Sequence, residues 1–208
     1  MKRLQKILWL AALLLPLGAA TACTESDDEE AENEYANWQA RNEAFFATLA
    51  DSLSRNAAAW KKIKSYTKDE NTAGVNTDYI YAKVIAEGDG GASPLYSDTV
   101  RIAYRGRLIP SATYPQGYVF DQTFVGDYNI KTTAVYDAVA SGFIDGFTTA
   151  LQHMSRGDHW RVYIPHTLGY GTSATSSIPA YSVLVFDLVL IDFASGTGSL
   201  DKWNSRQM

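Results

Sequence analysis

Residues 143–171 read FIDGFTTALQHMSRGDHWRVYIPHTLGYG. Phe147, Leu151 and Met154 stand at i, i+4 and i+7, a spacing that predicts a short amphipathic helix ending at Gly157. HWRVYI then alternates as a strand, and Pro165, which has no N–H for a sheet ladder, stops it. Gly169 and Gly171 leave the backbone free to turn tightly around Tyr170. A tyrosine held in such a turn has two readings: it caps the core, or it holds its hydroxyl at the rim of a pocket.

The flanking segments fix the setting of that turn. SVLVFDLVLIDF (182–193) places Leu184, Phe186 and Leu188 on one face of a strand. TVRIAYRGRL (99–108) sets Val100, Ile102 and Tyr104 against Thr99, Arg101 and Arg105, the pattern of a half-buried antiparallel strand. YIYAKVIAEG (79–88) is a strand by its β-branched and aromatic content, and the Gly-rich residues after it form a loop. One short helix among alternating strands predicts an α+β domain over 77–194, in which an antiparallel sheet wraps on the helix. Upstream, Tyr35, Trp38, Phe45, Phe46, Leu49, Leu53, Trp60 and Ile63 recur mostly at threes, fours and sevens without Pro or Gly. This predicts an N-terminal amphipathic helix over 35–65. Its stripe is too apolar to face water, so it packs on its own domain or on a second copy. Residues 66–78 read as a linker, and 195–208 as a loose tail carrying Trp203.

The N-terminus has another character. Lys2, Arg3 and Lys6 precede an apolar run from Ile7 to Ala20, the length of a secretory h-region and too short for a spanning helix. Cys23, the only cysteine, follows directly. Residues 1–22 therefore resemble a lipoprotein-type signal peptide with Cys23 as the lipidation site, although Ala20 stands where leucine is usual. The alternative is an ordinary signal with a chance cysteine. One cysteine excludes an internal disulfide, a Cys-based zinc site and a redox pair. Cleavage before Cys23 removes three cations and takes the formal charge from −5 to −8, which argues against nucleic-acid partners. Residues 23–34 form an acid-rich stretch with little to bury, a disordered tether. It resembles the surface-export signal of Bacteroidetes-type lipoproteins, and a plain spacer fits it equally. Location in the cell envelope, lipid-anchored to a bacterial membrane and most simply the outer one, follows from these features.

Hydrolytic machinery is not legible. His153, His159 and His166 lack metal-ligand spacing and read as surface or loop histidines, and no nucleophile elbow or phosphate loop occurs. What remains is aromatic density beside special glycines and prolines. VRIAYRGRL, GYVFDQT, the opening stretch, and SIPAYSVLVFDLVLI (177–191) stand in the order and near the spacing of FKBP-type peptidyl-prolyl cis-trans isomerases, which this chain resembles across about half its length.

The resemblance implies an FKBP-like fold and a pocket for proline. It matches Tyr104 to a pocket-wall tyrosine, Phe120 and Asp121 to the family's Phe-Asp pair, and Phe143 and Ile144 to two apolar residues before the helix. The Ile144 N–H is implied to meet a ligand carbonyl. Phe147 falls where tryptophan floors the pocket in well-known members, leaving a smaller apolar floor. Tyr170 matches a hydroxyl donor, Ile178 the apolar residue before Pro179, and Phe186 a wall aromatic. Counting back from Phe143 puts Ala134 where many members carry an aromatic, with Tyr136 as its replacement. Asp121 and Tyr170 thus take catalytic roles and the other seven bind substrate. The resemblance further implies X-Pro isomerisation with no metal or cofactor, proline-containing polypeptides as substrates, competition by proline-mimicking macrolides, and a homodimer through the N-terminal helix. Because Tyr104, Phe120 and Phe186 would be core residues of any such sheet, a non-catalytic FKBP-like binding or chaperone module stays open as the second reading.

Overall fold

The computed structural model describes residues 34–196 and 198–201. The signal peptide, Cys23, all of the acidic tether before Glu34, and Trp203 lie outside the described residues. The expected antiparallel sheet is present. It comprises β1 (Trp60–Lys64), β2 (Tyr79–Ala86), β3 (Thr99–Arg107), β4 (Val119–Gln122), β5 (Tyr136–Val139), β6 (His159–Ile164) and β7 (Leu184–Ala194). Its order is β1-β2-β6-β7-β3-β4, with β5 also pairing β3. β3 and β7 form the centre, paired from Thr99↔Ala194 to Arg107↔Val185. Ile102, Val162, Leu184, Leu188 and Leu190 are fully buried on one face. That face meets the short helix α2 (Asp145–Leu151).

α2 can lie this close because Gly146 has no side chain: a Cβ there would sit 2.3 Å from Ile164 Cγ2. The helix stops at Leu151, earlier than the expected end at Gly157. Leu151 and Met154 are fully buried as the spacing required, but Met154 belongs to the following turn. Gly157 (φ 89°) serves that turn, donating its N–H to Leu190 O at 2.7 Å.

The N-terminal helix α1 spans Trp38–Arg55, so the expected helix over 35–65 is corrected. Ser52, Ser54 and Asn56 weaken helix propensity. After a short 3-10 turn at Ala57–Ala59 the chain extends as β1, pairing Ile63 with Ile80. The three-residue interval from Trp60 to Ile63 suited a helix, but sheet pairing decided it. α1 buries Trp38, Asn42, Phe46 and Leu49 against its own domain. Phe46 meets the Tyr81 ring edge-on at 5.3 Å, and Phe45 lies 6.1 Å from Tyr163. Trp38 Nε1–H donates to Ser182 Oγ at 2.8 Å, and the buried Asn42 Oδ1 accepts the Val183 N–H at 2.7 Å. Trp38, Phe46 and Leu49 of the stripe are therefore covered within the protomer, while Phe45, Leu53 and Trp60 stay partly exposed.

The half-buried reading of β3 is corrected likewise, since both faces are covered in part. Ala103, Val189 and Ile191 face a second apolar cluster closed by Phe124, Tyr128, Ile130 and Val135 from the loop before β5. Between that loop and α1, Asp187 joins Arg107 and Arg161 at 2.9 and 2.7 Å. The linker over 66–78 is a set of turns, tied by Lys68 to Asp78 at 3.1 Å. The start of the tail is tied as well: Thr99 donates its N–H to Gly196 O at 2.9 Å. Among the described residues no helix is long and apolar enough to cross a membrane.

Candidate functional site

Five segments converge at one end of the sheet, over α2. β3 brings Tyr104, β4 brings Phe120 and Asp121, the entry to α2 brings Phe143, Ile144 and Phe147, and β7 brings Phe186. The loop between β6 and β7 contributes Tyr170 and Ile178. All nine line one cavity of about 620 Å³. Sequence reasoning missed three further lining residues, Gly142, Thr175 and Ser177. The Ser/Thr-rich run 172–177 is the only signal that pointed near the last two.

The aromatic rings form a continuous array. Phe147 lies at its base, stacked on Phe143 at 4.6 Å and edge-on to Phe186 at 5.0 Å. Phe120 meets Phe186 edge-on at 5.6 Å, and Tyr104 closes the ring, 5.9 Å from Phe147 and 6.2 Å from Phe186. These are the spacings at which ring edges and faces attract. Phe147 and Phe186 are buried, so the smaller floor residue leaves no exposed gap below the cavity. Tyr136 packs edge-on to Tyr104 at 6.5 Å and to Phe143 at 6.3 Å, which puts it at the outer rim. Ala134 is exposed and lines a different cleft with Phe124 and Thr133, so its match to a pocket aromatic is corrected.

Among the described residues, Asp121 is the only charged side chain on the cavity. Its Oδ2 accepts the Tyr104 O–H at 2.6 Å. Burial, reinforced by that bond to a carboxylate, pushes the Tyr104 phenol above its ordinary pKa. Tyr104 is thus a neutral donor locked in one orientation, and Asp121 acts first on the wall. Thr123 fixes the same tyrosine from its backbone: Oγ1 accepts the Tyr104 N–H at 3.0 Å.

The turn that opened the reading forms as Pro165 requires. β6 ends at Ile164, a 3-10 turn covers His166–Leu168, and Gly171 takes φ 68°. The N–H groups of Gly169 and Gly171 both donate to His166 O, at 3.0 and 2.8 Å. Tyr170 is left 46% exposed on the cavity wall, so the core-capping reading does not hold. Its hydroxyl has no hydrogen-bond partner among the described residues, and neither has the Ile144 N–H at the entry to α2. Both are donors open to an incoming group.

The histidines lie away from the cavity. His153 Nδ1 is 2.8 Å from Thr149 O. His159 is not the surface residue expected: it packs edge-on to Tyr128 at 5.6 Å, its Nε2 is buried without a partner, and desolvation lowers its pKa. Among the described residues no cluster of three or more His, Cys, Asp or Glu is placed to hold a metal ion.

Comparison with known proteins finds relatives over the segment that carries this cavity. Residues 90–191 match the model of the FKBP-type peptidyl-prolyl cis-trans isomerase family. A macrophage infectivity potentiator of Trypanosoma cruzi is 39% identical over 113 residues, covering 54% of this chain and 52% of that protein. An FKBP-type 22 kDa peptidyl-prolyl cis-trans isomerase of Escherichia coli is 32% identical over 149 residues, covering 69% and 66%. The chain thus spans between half and two thirds of the length of these curated relatives. A crystal structure of a peptidyl-prolyl cis-trans isomerase from Pseudomonas syringae superposes with a TM-score of 0.50 at 25% identity, covering 74% of this chain and 96% of that one.

Proposed function

The chain belongs, through residues 90–191, to the FKBP-type peptidyl-prolyl cis-trans isomerase family, and from that premise we propose that it isomerises X-Pro bonds of polypeptides in the cell envelope. One observation carries the proposal: five aromatic rings close around a cavity on which Asp121, the one charge among the described residues, is already bonded to the wall.

Rotation about a peptide bond meets a barrier of roughly 18–20 kcal/mol because amide resonance must be broken. Twisting the bond diminishes the amide dipole. An apolar, dehydrated pocket therefore favours the twisted amide over the planar one, which is stabilisation of the transition state with no nucleophile or base. In this reading the proline ring rests on Phe147 between Phe120, Phe143 and Phe186, and Tyr104 and Ile178 flank it. The open donors, the Ile144 N–H and the Tyr170 hydroxyl, hold the carbonyls on either side of the twisting bond. Asp121 fixes Tyr104. Proline-mimicking macrolides compete for the same cavity.

Cys23 and the segment before it support a lipid-anchored protein. In cells, Cys23→Ser is expected to release the protein from the membrane fraction, and an unchanged fraction overturns the anchor. Activity is tested by cis-trans exchange on short X-Pro peptides. A rate equal to the uncatalysed one, with folded protein and varied residues before proline, would leave the binding-module reading in its place.

A further inference from the structure

The loop residues Thr175–Pro179 form a ridge with a cavity on each side. Thr175, Ser177 and Ile178 line both the aromatic pocket and a second groove of about 360 Å³. The far wall of that groove is made by Tyr35 and Tyr118. Both walls are fixed. Tyr35 packs edge-on to Trp38 at 5.0 Å, Trp38 donates to Ser182 Oγ, and the Ser182 hydroxyl donates to Pro179 O at 2.6 Å. Tyr118 is held at 5.1 Å edge-on to Tyr114, and its carbonyl accepts the Leu108 N–H at 2.9 Å. Among the described residues, no charged side chain lines the groove. Tyr35 lies outside residues 90–191, so this wall is supplied by the N-terminal arm.

We propose that this groove receives an aromatic side chain of the polypeptide substrate, two to four residues from the proline, an inference that rests on the reading of the aromatic pocket given above. An extended chain advances about 3.3–3.6 Å per residue, so such a residue lies roughly 7–14 Å from the proline. Neighbouring strands lie about 4.8 Å apart and stacked layers about 10 Å, so this range spans the width of one loop strand. A flat ring makes edge-to-face contacts with Tyr35 and Tyr118. The described residues that line the groove offer a charged side chain no ion-pair partner of their own. Continuity across a shared ridge makes the occupant part of the same polypeptide.

The test uses the mature chain and ten-residue peptides with one central Ala-Pro, in which a single Phe is moved one position at a time on either side. Exchange between cis and trans proline signals is read by NMR. We expect kcat/KM to rise roughly three- to tenfold over the Phe-free peptide at one or two neighbouring positions on one side only. Ser176→Trp fills the groove from the exposed ridge and should abolish the rise while the Phe-free rate stays unchanged. Tyr118→Ala removes one wall and should abolish the rise as well. Should it fail to fold, Ser176→Trp decides alone. A flat scan with the Phe-free peptide turned over, or a rise that survives Ser176→Trp, overturns the inference and spares the pocket. Failure to turn over any peptide removes the pocket reading itself.

Discussion

Gly106→Ala separates pocket shape from fold stability. Gly106 lies on β3 beneath the aromatic array, opposite Phe186 on β7 and Asp121 on β4. A Cβ there would stand 2.5 and 2.6 Å from Phe120 Cε2 and Cζ, and 2.7 Å from Phe186 Cε1. Carbon atoms in contact sit about 3.5–4.0 Å apart, so both rings must move by roughly 1 Å. The φ of Gly106 is not positive, so the cost to the folded state is crowding and not backbone strain. Phe186 is buried and cannot retreat, whereas Phe120 is partly open and swings into the cavity. Stability should fall by about 1–2 kcal/mol, near the low end for overpacking. The pocket should lose much more: kcat/KM is expected to drop at least tenfold, because a misplacement of about 1 Å at a site is worth that or more. Gly142→Ala is the control, since its Cβ meets nothing within 4 Å, and stability should be unchanged. Urea unfolding and peptide exchange measure the two effects. Gly106→Ala with full activity at wild-type stability would refute the placement of both rings.

The other expectations concern donors, pH and length. Tyr170→Phe removes one hydroxyl and keeps the ring, so kcat/KM should fall by about one hydrogen bond of 0.5–1.5 kcal/mol. Asp121→Ala frees the Tyr104 hydroxyl and should cost more, about 1.5–3 kcal/mol for a bond to a charged group, with the fold intact by circular dichroism. Activity should stay nearly level from about pH 6 to 9, since Tyr104 remains protonated throughout. A step in that range would mean a titrating group acts in the pocket. His159 has a folded pKa below its unfolded value of about 6.5, so the unfolded chain binds more protons. Its contribution is therefore present above pH 6.5 and is lost as pH falls below it, and His159→Phe should flatten the fall in urea midpoint between pH 7 and 5. A chain beginning at Thr77 loses the Trp38, Phe46 and Leu49 side chains, each worth about 1.5–3 kcal/mol when buried. That approaches a whole domain's stability, so it should be unfolded or nearly so in thermal scans, and a cooperative, wild-type melt would contradict the packing of α1.

The site was more legible than the frame around it, for physical reasons. Tyr104, Phe120, Phe147 and Phe186 sit on regular elements, where period alone fixes which face a ring takes. Their assembly in one cavity was carried by the family resemblance. The end of α1 is not legible because the three-residue interval from Trp60 to Ile63 suits a helix and puts the two on opposite faces of a strand, and only the pairing of Ile63 with Ile80, a long-range contact, overrides it. The cover on the outer face of β3 was missed because Phe124, Tyr128, Ile130 and Val135 come from an irregular loop with no period to read. Ala134 was placed by counting along that loop, where a shift of two residues separates a cleft from the rim that Tyr136 occupies.

The two halves of the pocket wall are held differently, and this bears on where substrate choice resides. The floor is part of the core: Thr148 Oγ1–H donates to Ala140 O at 2.8 Å, Thr149 Oγ1–H to Asp145 O at 2.7 Å, and both threonines are fully buried. A change of floor residue must therefore be absorbed by packing, and Phe147 is so absorbed, stacked on Phe143. The ridge over 172–178 is exposed along most of its length and is tied by few bonds, among them Thr175 N–H to Ile178 O at 2.8 Å and Tyr181 N–H to Gly171 O at 3.0 Å. Substitutions there change the rim without reaching the core. In the proposed isomerisation, stabilisation of the twisted amide would rest on the rigid floor, which serves any X-Pro bond alike. Selection among sequences around the proline needs contacts farther out, and the ridge with Tyr35 and Tyr118 behind it is where this chain has room to make them.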